Sequence, residues 1–564
     1  MFDNKHPNPI FSRINFEELK KDWKFSFNET EWLDINVPFC PESKLSGIGY
    51  TDFIPLCYYK RQFDCDKQDG KRTILHFGAV DYETKLSING VYVGSHQGGF
   101  TPFEFDVTDF CQQGKNELLL TVADCLKGVP SGKQSAKKQS YGCFYTRTTG
   151  IWQPVWIERV PENRVEFIQF SPSIEKQSVK TKVLVSGKGN IKIKIFFGGR
   201  EVGVYEGFID KNAEYEIPFQ EKHIWSIGAG NLYDVKVCYE EDEVFTYFGL
   251  REVRYQGYKF QLNGENCYQK FVLDQGYNPE GIYTQITDEE KKRDIDLAVR
   301  LGFNGSRLHQ KVFDPRFLYL CDKQGYMVWG EFPSWGIDYS SMESLDVFLK
   351  EWREVLVRDV NHPSIITWCP LNECWSLFGV RIPEYIDAIY RFTKEFDSTR
   401  PVVDVSGGYH SYQTDLYDFH CYENLDNLKK YLDNFEQNDV LDVPLLYLEN
   451  EKLRYQKGVP VSISECGGFS YCENAHDVNT INEGAVQAEE CWGYGNGVGN
   501  SDSFLARYSA LIKLFSEYSK ISGFCYTQLY DVEQECNGFY YYDRSNKFTE
   551  EEKDKIKKLN ESLK

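Results

Sequence analysis

From about residue 256 onward, short apolar runs take turns with helix-like stretches, and nothing else in the 564-residue chain restricts its fold so tightly. The runs are KFVLDQGY, FNGSRLH, YMVWGEF, SIITWCPLNE, PVVDVSGG, LYDFHCY, PVSISECGG and GFCYTQLYD. The segments between them carry helix punctuation. TDEEKKRDIDLAVRLG opens on Thr287, which forms a capping box with Glu290, and stops at Gly302. DPRFLYLCDKQG sets Asp314 as cap and Pro315 at the first helical position, and ends on Gly325. Eight strands with crossover helices over 256–564 predict a (β/α)8 TIM barrel. The fifth-to-sixth connection is short.

Two β regions precede the barrel. Over residues 1–160, TILHFGAVDYETKLSINGVYVGSHQGGFTPFEFDVTDF alternates apolar and polar residues, with Asn89-Gly90 as a tight hairpin turn. The polar stretch SGKQSAKKQS, Ser131 to Ser140, reads as an exposed loop that either reaches the barrel mouth or lacks order. Residues 161–255 hold further short alternating strands, VKTKVLVSG, NIKIKIFFGG and LYDVKVCYEE, the pattern of a small β-sandwich.

Charge and cysteine content exclude other classes. The net charge of −21 argues against nucleic acid or anionic membrane as partner. No run of about 18 apolar residues is present, so no membrane-spanning helix is expected. The first residues lack the apolar core of a secretory signal. Seventeen cysteines lie scattered without CxxC or zinc-type Cys/His spacing, which fits reduced thiols, a cytoplasmic location and no metal.

Chemistry in such a barrel sits at the C-terminal ends of the strands. Those ends carry Arg307 and His309 on the second strand, Glu331 followed by Trp335 on the third, and Asn372 and Glu373 on the fourth. His420 and Tyr422 follow on the sixth, Glu465 on the seventh, and Gln528, Asp531 and Glu533 on the eighth. Polar groups among Trp and Tyr describe a sugar pocket. The fourth and seventh strands lie across the barrel from one another, so Glu373 and Glu465 can face each other, as glycoside hydrolysis requires. Burial by Trp368 and Trp375 favours a protonated Glu373, and hydrogen bonds from Tyr422 and Arg307 favour an ionised Glu465. Plainer readings stand beside these: Asn372 as a helix cap, His309 and His420 as core histidines, and Trp329, Trp368 and Trp492 as packing. The glycines of WGYGNGVG serve turns, because the strand–loop–helix setting of a nucleotide site is missing.

The ordered set of motifs resembles glycoside hydrolase family 2, the β-galactosidase, β-glucuronidase and β-mannosidase group, over nearly the whole chain. GGFTPFEFDVTDF with GKNELLLTVAD resembles its N-terminal jelly-roll sugar-binding domain, and GIWQPVWIE the strand leading into its immunoglobulin-like domain. HPSIITWCPLNE resembles the acid/base signature and PVSISECGG the nucleophile strand. The resemblance implies double displacement with retention, Glu373 as acid/base and Glu465 as nucleophile. It also implies that Asn372 binds the 2-hydroxyl, that Tyr422 orients Glu465, and that Arg307, His309 and His420 line the sugar site. Glu331, Trp492 and Gln528 complete the candidate sugar-binding set. No cofactor is implied, and a homo-oligomer is a candidate because family members assemble as dimers or tetramers.

Two departures bear on substrate. The family's β-glucuronidases grip the sugar carboxylate with an Asn-x-Lys element after the eighth strand, whereas ECNGFYYYDR has no such lysine. GEFPSWG lacks the histidine of the large magnesium-dependent β-galactosidases. A β-galactoside is therefore the first expectation. β-Glucuronide, β-mannoside and α-L-arabinoside are the alternatives within the same mechanism, and a carbohydrate-binding protein without catalysis is the alternative outside it. The chain ends just after its last helix, the compact three-domain form.

Overall fold

The computed structural model describes residues 5–125, 127–374, 382–408, 410–443, 453–471, 476–478, 491–495 and 497–564. Trp375, expected beside Glu373, lies outside the described residues.

In the N-terminal region two antiparallel sheets, of six and four strands, pack face to face. The ladder Leu56–Cys65 against Gly114–Ala123 anchors the larger sheet, and Lys71–Phe77 against Val155–Pro161 the smaller. Strict alternation puts Tyr59, Leu86 and Leu120 from one sheet and Leu75, Phe77 and Ile157 from the other into a shared core. Asn89 and Gly90 both take positive φ in the hairpin between Glu83–Ile88 and Val91–Gln97, as the sequence predicts.

The middle region is built around one 20-residue strand, Ser178–Phe197. Its first half pairs with Val165–Ser173, its second with Tyr233–Tyr239, and Arg200–Pro218 runs beside both halves. The halves that a sandwich would keep in separate sheets are thus joined in one five-stranded sheet around one core.

The C-terminal region is the TIM barrel. Its strands are fully buried, which is why their sequences read as continuous apolar runs rather than alternating ones. Seven strands form a parallel sheet: Gln269–Asp274, Gly305–Leu308, Met327–Glu331, Ile365–Cys369, Tyr417–Cys421, Val461–Cys466 and Ile521–Tyr526. The first pairs with the last, closing one side. The fifth barrel position, PVVDVSGG, appears as two parallel bridges, Trp368 to Val402 and Asn372 to Ser406. On its other side Ser406 Oγ donates to Asp418 Oδ2 at 2.6 Å, so a side chain does what a ladder does elsewhere. Helices Asp288–Arg300 and Pro315–Gln324 start at Thr287 and Asp314 and end at glycines in the left-handed region, as their punctuation requires.

The N-terminal sheets are fused to the barrel rather than tethered. Cys40, Ala79, Phe100, Tyr145 and Trp152 belong to the barrel's own apolar core. Thr284 Oγ1 donates to the Trp152 carbonyl at 2.6 Å, and Tyr82 Oη to Glu351 Oε1 at 2.7 Å. The loop expected at 131–140 reaches the barrel mouth: Ser131 N and Gly132 N donate to the Trp335 carbonyl at 2.8 and 3.2 Å. Gly132 has φ +59, and a Cβ there would lie 2.4 Å from the Gln310 carbonyl oxygen, so only glycine allows so close a seat. No described helix is long and apolar enough to cross a membrane.

Candidate active site

Arg307, at the end of the second barrel strand, organises the centre of the barrel mouth. It is wholly buried, and its planar fork reaches three elements at once. Nε donates to Glu331 Oε2 at 2.6 Å, Nη1 to Glu465 Oε1 at 2.7 Å, and Nη2 to Asn372 Oδ1 at 2.6 Å. Burial opposes the guanidinium charge, yet Glu331 and Glu465 raise its pKa well above the ordinary value.

Glu465 ends the seventh strand. Besides Arg307 it accepts from Tyr422 Oη at 2.5 Å on Oε2, and His420 Nε2 stands 3.4 Å from Oε1. Burial pushes this carboxyl up, but the positive His420, Arg307 and Lys133 outweigh it and hold it at about 2. It is ionised at neutral pH. Tyr422 is itself fixed by stacking on Tyr494, ring centres 3.5 Å apart, and by Thr527 Oγ1 at 2.9 Å.

Glu373 has different surroundings. Its contact is His420 Nδ1, 2.5 Å from Oε1. Its backbone sits at φ +40, in the left-handed region, held by Glu373 N donating to the Ser406 carbonyl at 2.8 Å. Gly407 makes room, since a Cβ there would come within 2.6 Å of His420 and 2.9 Å of Glu373. Burial lowers the His420 pKa, while Glu465 and Glu373 raise it further, leaving it above the ordinary imidazole value. One ligating oxygen from each glutamate and a His420 nitrogen lie within 4.8 Å of one another. Among the described residues this trio is also the one cluster of acidic and histidine side chains spaced for a cation, and its oxygens are already engaged by Arg307, Tyr422 and His420.

The remaining candidates separate into groups at the cleft and groups behind it. Asn372 gives its oxygen to Arg307, and its buried Nδ2 has no hydrogen-bond partner among the described residues. His309 places Nδ1 2.9 Å from Glu331 Oε1, and burial together with Lys133 holds it well below the usual imidazole range, so it is neutral. Glu331 is fully enclosed, with Arg307, His309 and Gln310 N occupying its oxygens, and it acts on the cleft through them. Gln528 donates Nε2 to Asn537 Oδ1 at 2.8 Å, and its buried Oε1 is without a partner. Trp492 is buried, donates Nε1 to the Gly142 carbonyl at 2.8 Å, and packs with Cys143 and Tyr494 as a brace for the mouth. Trp329 donates to Gln269 Oε1 at 3.0 Å inside the barrel, the packing role expected of it.

Three more side chains stand at the mouth: Trp335, read at the third strand end, and Glu535 and Lys133, which were not among the sequence candidates. Trp335 donates Nε1 to the Asn372 carbonyl at 3.2 Å. Glu535 accepts from Tyr145 Oη and from Asn537 Nδ2. Lys133 arrives from the 131–140 loop, buried on the cleft side. The polarity of that loop and the tryptophan after the third strand were the only signals.

A parallel barrel with two acidic side chains facing each other among sugar-sized hydrogen-bonding groups defines a glycoside hydrolase. Residues 253–554 match the family model for the TIM barrel domain of glycosyl hydrolases family 2, and residues 47–159 match its sugar-binding domain. The chain belongs to glycosyl hydrolases family 2.

It is 28% identical over 425 residues to a β-galactosidase of Thermoanaerobacter pseudethanolicus, covering 69% of this chain and 53% of that one. It is 25% identical over 430 residues to the β-glucuronidase of Canis lupus familiaris, covering 68% and 64%. The chain thus spans about half the length of the first of these relatives. Its fold resembles a β-glucuronidase from an uncultured Clostridium, with TM-score 0.79, 18% identity and coverage of 100% and 99%. It also resembles a β-galacturonidase from Eisenbergiella tayi, with TM-score 0.74, 21% identity and coverage of 97% and 96%.

Proposed function

We propose that this chain is a retaining exo-β-glycosidase that releases a terminal sugar by double displacement. The observation that carries it is the approach of Glu373 and Glu465 to within 4.8 Å in unlike surroundings. Retaining enzymes hold their carboxyl groups about 5–5.5 Å apart, and inverting ones leave about 6.5–9.5 Å for a water.

Glu465, ionised by Arg307 and His420 and oriented by Tyr422, attacks the anomeric carbon. Glu373, bearing a proton, delivers it to the departing oxygen. Once the leaving group has gone, the Glu373 carboxylate takes a proton from water, which attacks the glycosyl–Glu465 ester from the face the leaving group left. Two inversions give net retention. The free Nδ2 of Asn372 is placed for the 2-hydroxyl, where a contact strengthens as the oxocarbenium character grows. The 131–145 segment and Trp335 wall one side of the mouth, which favours a single terminal ring over an internal chain unit.

Proton NMR of the first-formed sugar from an aryl β-glycoside tests this. The β anomer is expected before mutarotation, and the α anomer would overturn retention.

A further inference from the structure

Among the described residues, the charged groups of the catalytic cluster have bonded partners, and the lysine beside them does not. Glu331 and Glu465 are held by Arg307, and Glu373 by His420. Lys133 is only 6% exposed, and among the described residues none forms a hydrogen bond or ion pair with its Nζ. Its near neighbours are aromatic faces, Trp335 at 5.4 Å and Tyr145 at 6.0 Å from ring centre to Nζ. Burial works against this ammonium, but the carboxyls of Glu535, Glu465 and Glu373 hold its pKa above the ordinary lysine value, so the charge is kept without a bonded partner.

We propose that Lys133, delivered by the N-terminal β-sandwich, receives a carboxylate on the sugar ring, so that the substrate is a β-linked hexuronide; this rests on the two-glutamate chemistry above.

Three observations carry the assignment. First, the lysine is built in rather than left over. Its carbonyl accepts from Tyr145 N at 2.8 Å, Ser135 N donates to the Tyr145 carbonyl at 2.8 Å, and Ser131 and Gly132 are tied to Trp335 on the other side. Second, it belongs electrostatically to the catalytic cleft: the carboxyls of Glu535, Glu465 and Glu373 are among the groups that favour its charge. Third, Glu535, a candidate internal counter-ion, is already engaged by other partners. Glu535 accepts from Tyr145 Oη on one oxygen and from Asn537 Nδ2 on the other, and burial pushes its carboxyl up toward the neutral form. A neutral sugar brings only hydroxyls, which solvate an ammonium without cancelling its charge. A carboxylate on C5 forms a charge-assisted bond and supplies the bonded partner that Nζ lacks among the described residues. The segment ECNGFYYYDR has no lysine, and Lys547 beyond it is paired with Asp531, so the cation comes from a different domain. Glucuronide and galacturonide share this carboxylate and differ at C4.

The test is kcat/KM for the 4-nitrophenyl β-D-glucuronide and β-D-galacturonide against the matched β-D-glucoside and β-D-galactoside. One uronide is expected to exceed its neutral counterpart by roughly 100-fold, and Lys133→Met to cut that ratio by roughly 10- to 100-fold at an unchanged melting temperature. Lys133→Arg should retain part of the preference. A ratio unmoved by Lys133→Met overturns the assignment. If Lys133→Met does not fold, the wild-type ratio decides, together with inhibition by free glucuronate and galacturonate against glucose and galactose. Turnover confined to neutral glycosides overturns the uronide and leaves the two-glutamate chemistry standing. Turnover of none, with β-mannoside and α-L-arabinoside added to the panel, overturns both.

Discussion

His420 Nδ1 lies 2.5 Å from Glu373 Oε1, and the same imidazole presents Nε2 to Glu465 Oε1 at 3.4 Å. One ring from the sixth strand therefore touches both carboxylates and reports the state of each to the other. A protonated His420 lowers the cost of holding two acids so close. His420→Phe is expected to reduce kcat by roughly 100-fold and to shift the acidic limb of the pH–rate profile upward, because Glu465 loses a positive neighbour. A profile whose acidic limb stays in place would refute that role.

Glu465→Gln removes the attacking carboxylate but keeps a side chain of the same shape for Tyr422 and Arg307. Turnover should fall by about 10⁴-fold or more. With the unaltered protein, a 2-deoxy-2-fluoro glycoside should leave one sugar covalently attached, and peptide mass spectrometry should find it on Glu465. A label on any other residue would displace Glu465 as nucleophile.

Glu373→Ala should separate the two half-reactions. Substrates with good leaving groups need little proton donation, so their loss should be small in the first step and large in the second. Added azide should restore turnover and yield the β-glycosyl azide, with an unassisted loss of roughly 10²–10⁴-fold for poor leaving groups. An equal loss for good and poor leaving groups, with no azide product, would exclude Glu373 as the acid/base.

Arg307→Lys keeps a positive charge and loses the fork. A lysine cannot reach Glu331, Glu465 and Asn372 together, so at least one buried carboxylate is stranded at a cost of about 3–5 kcal/mol. Calorimetry should show a lowered melting temperature, and Glu331→Gln added to Arg307→Lys should recover part of it. No recovery would mean that Glu331 is not the stranded partner.

Glu351 lies where a barrel helix, Leu345–Asp359, meets Tyr82 of the N-terminal sheets. Burial raises its carboxyl to about 8, with the Tyr82 hydrogen bond acting the other way. A folded-state value above the unfolded one means that its contribution is full below about 4.5 and is lost as pH rises toward 8, a total of about 5 kcal/mol. Glu351→Gln should flatten that slope and raise the melting temperature at pH 8 relative to pH 5. Equal pH dependence in both proteins would show that Glu351 is not the group responsible.

Much of this was readable along the chain because it is local. Helix caps at Thr287 and Asp314, the Asn89-Gly90 turn and the alternation in the N-terminal strands depend on neighbours within a few residues. The strand ends that carry Arg307, Asn372, Glu373, His420, Tyr422 and Glu465 could be ranked because the barrel fixes where such ends point. The fifth barrel position was harder: PVVDVSGG has strand composition, yet it appears as two bridges and is tied to the next strand through the Ser406 hydroxyl on Asp418.

Periodicity and punctuation thus dictated the elements, the barrel and the two opposed glutamates, all set by backbone preference and burial near each residue. Which side chains fill the mouth was decided in three dimensions. Lys133 lies 332 positions before Glu465 in the chain, and no local pattern says that a glycine-hinged loop will carry it across a domain interface. Glu331 and Trp492 look like cleft residues in the sequence and turn out to stand behind others, enclosed by Arg307 and by the loop carrying Gly142. Long-range packing chooses among polar groups that the chain offers equally, because desolvation and charge pairing depend on what the fold brings alongside.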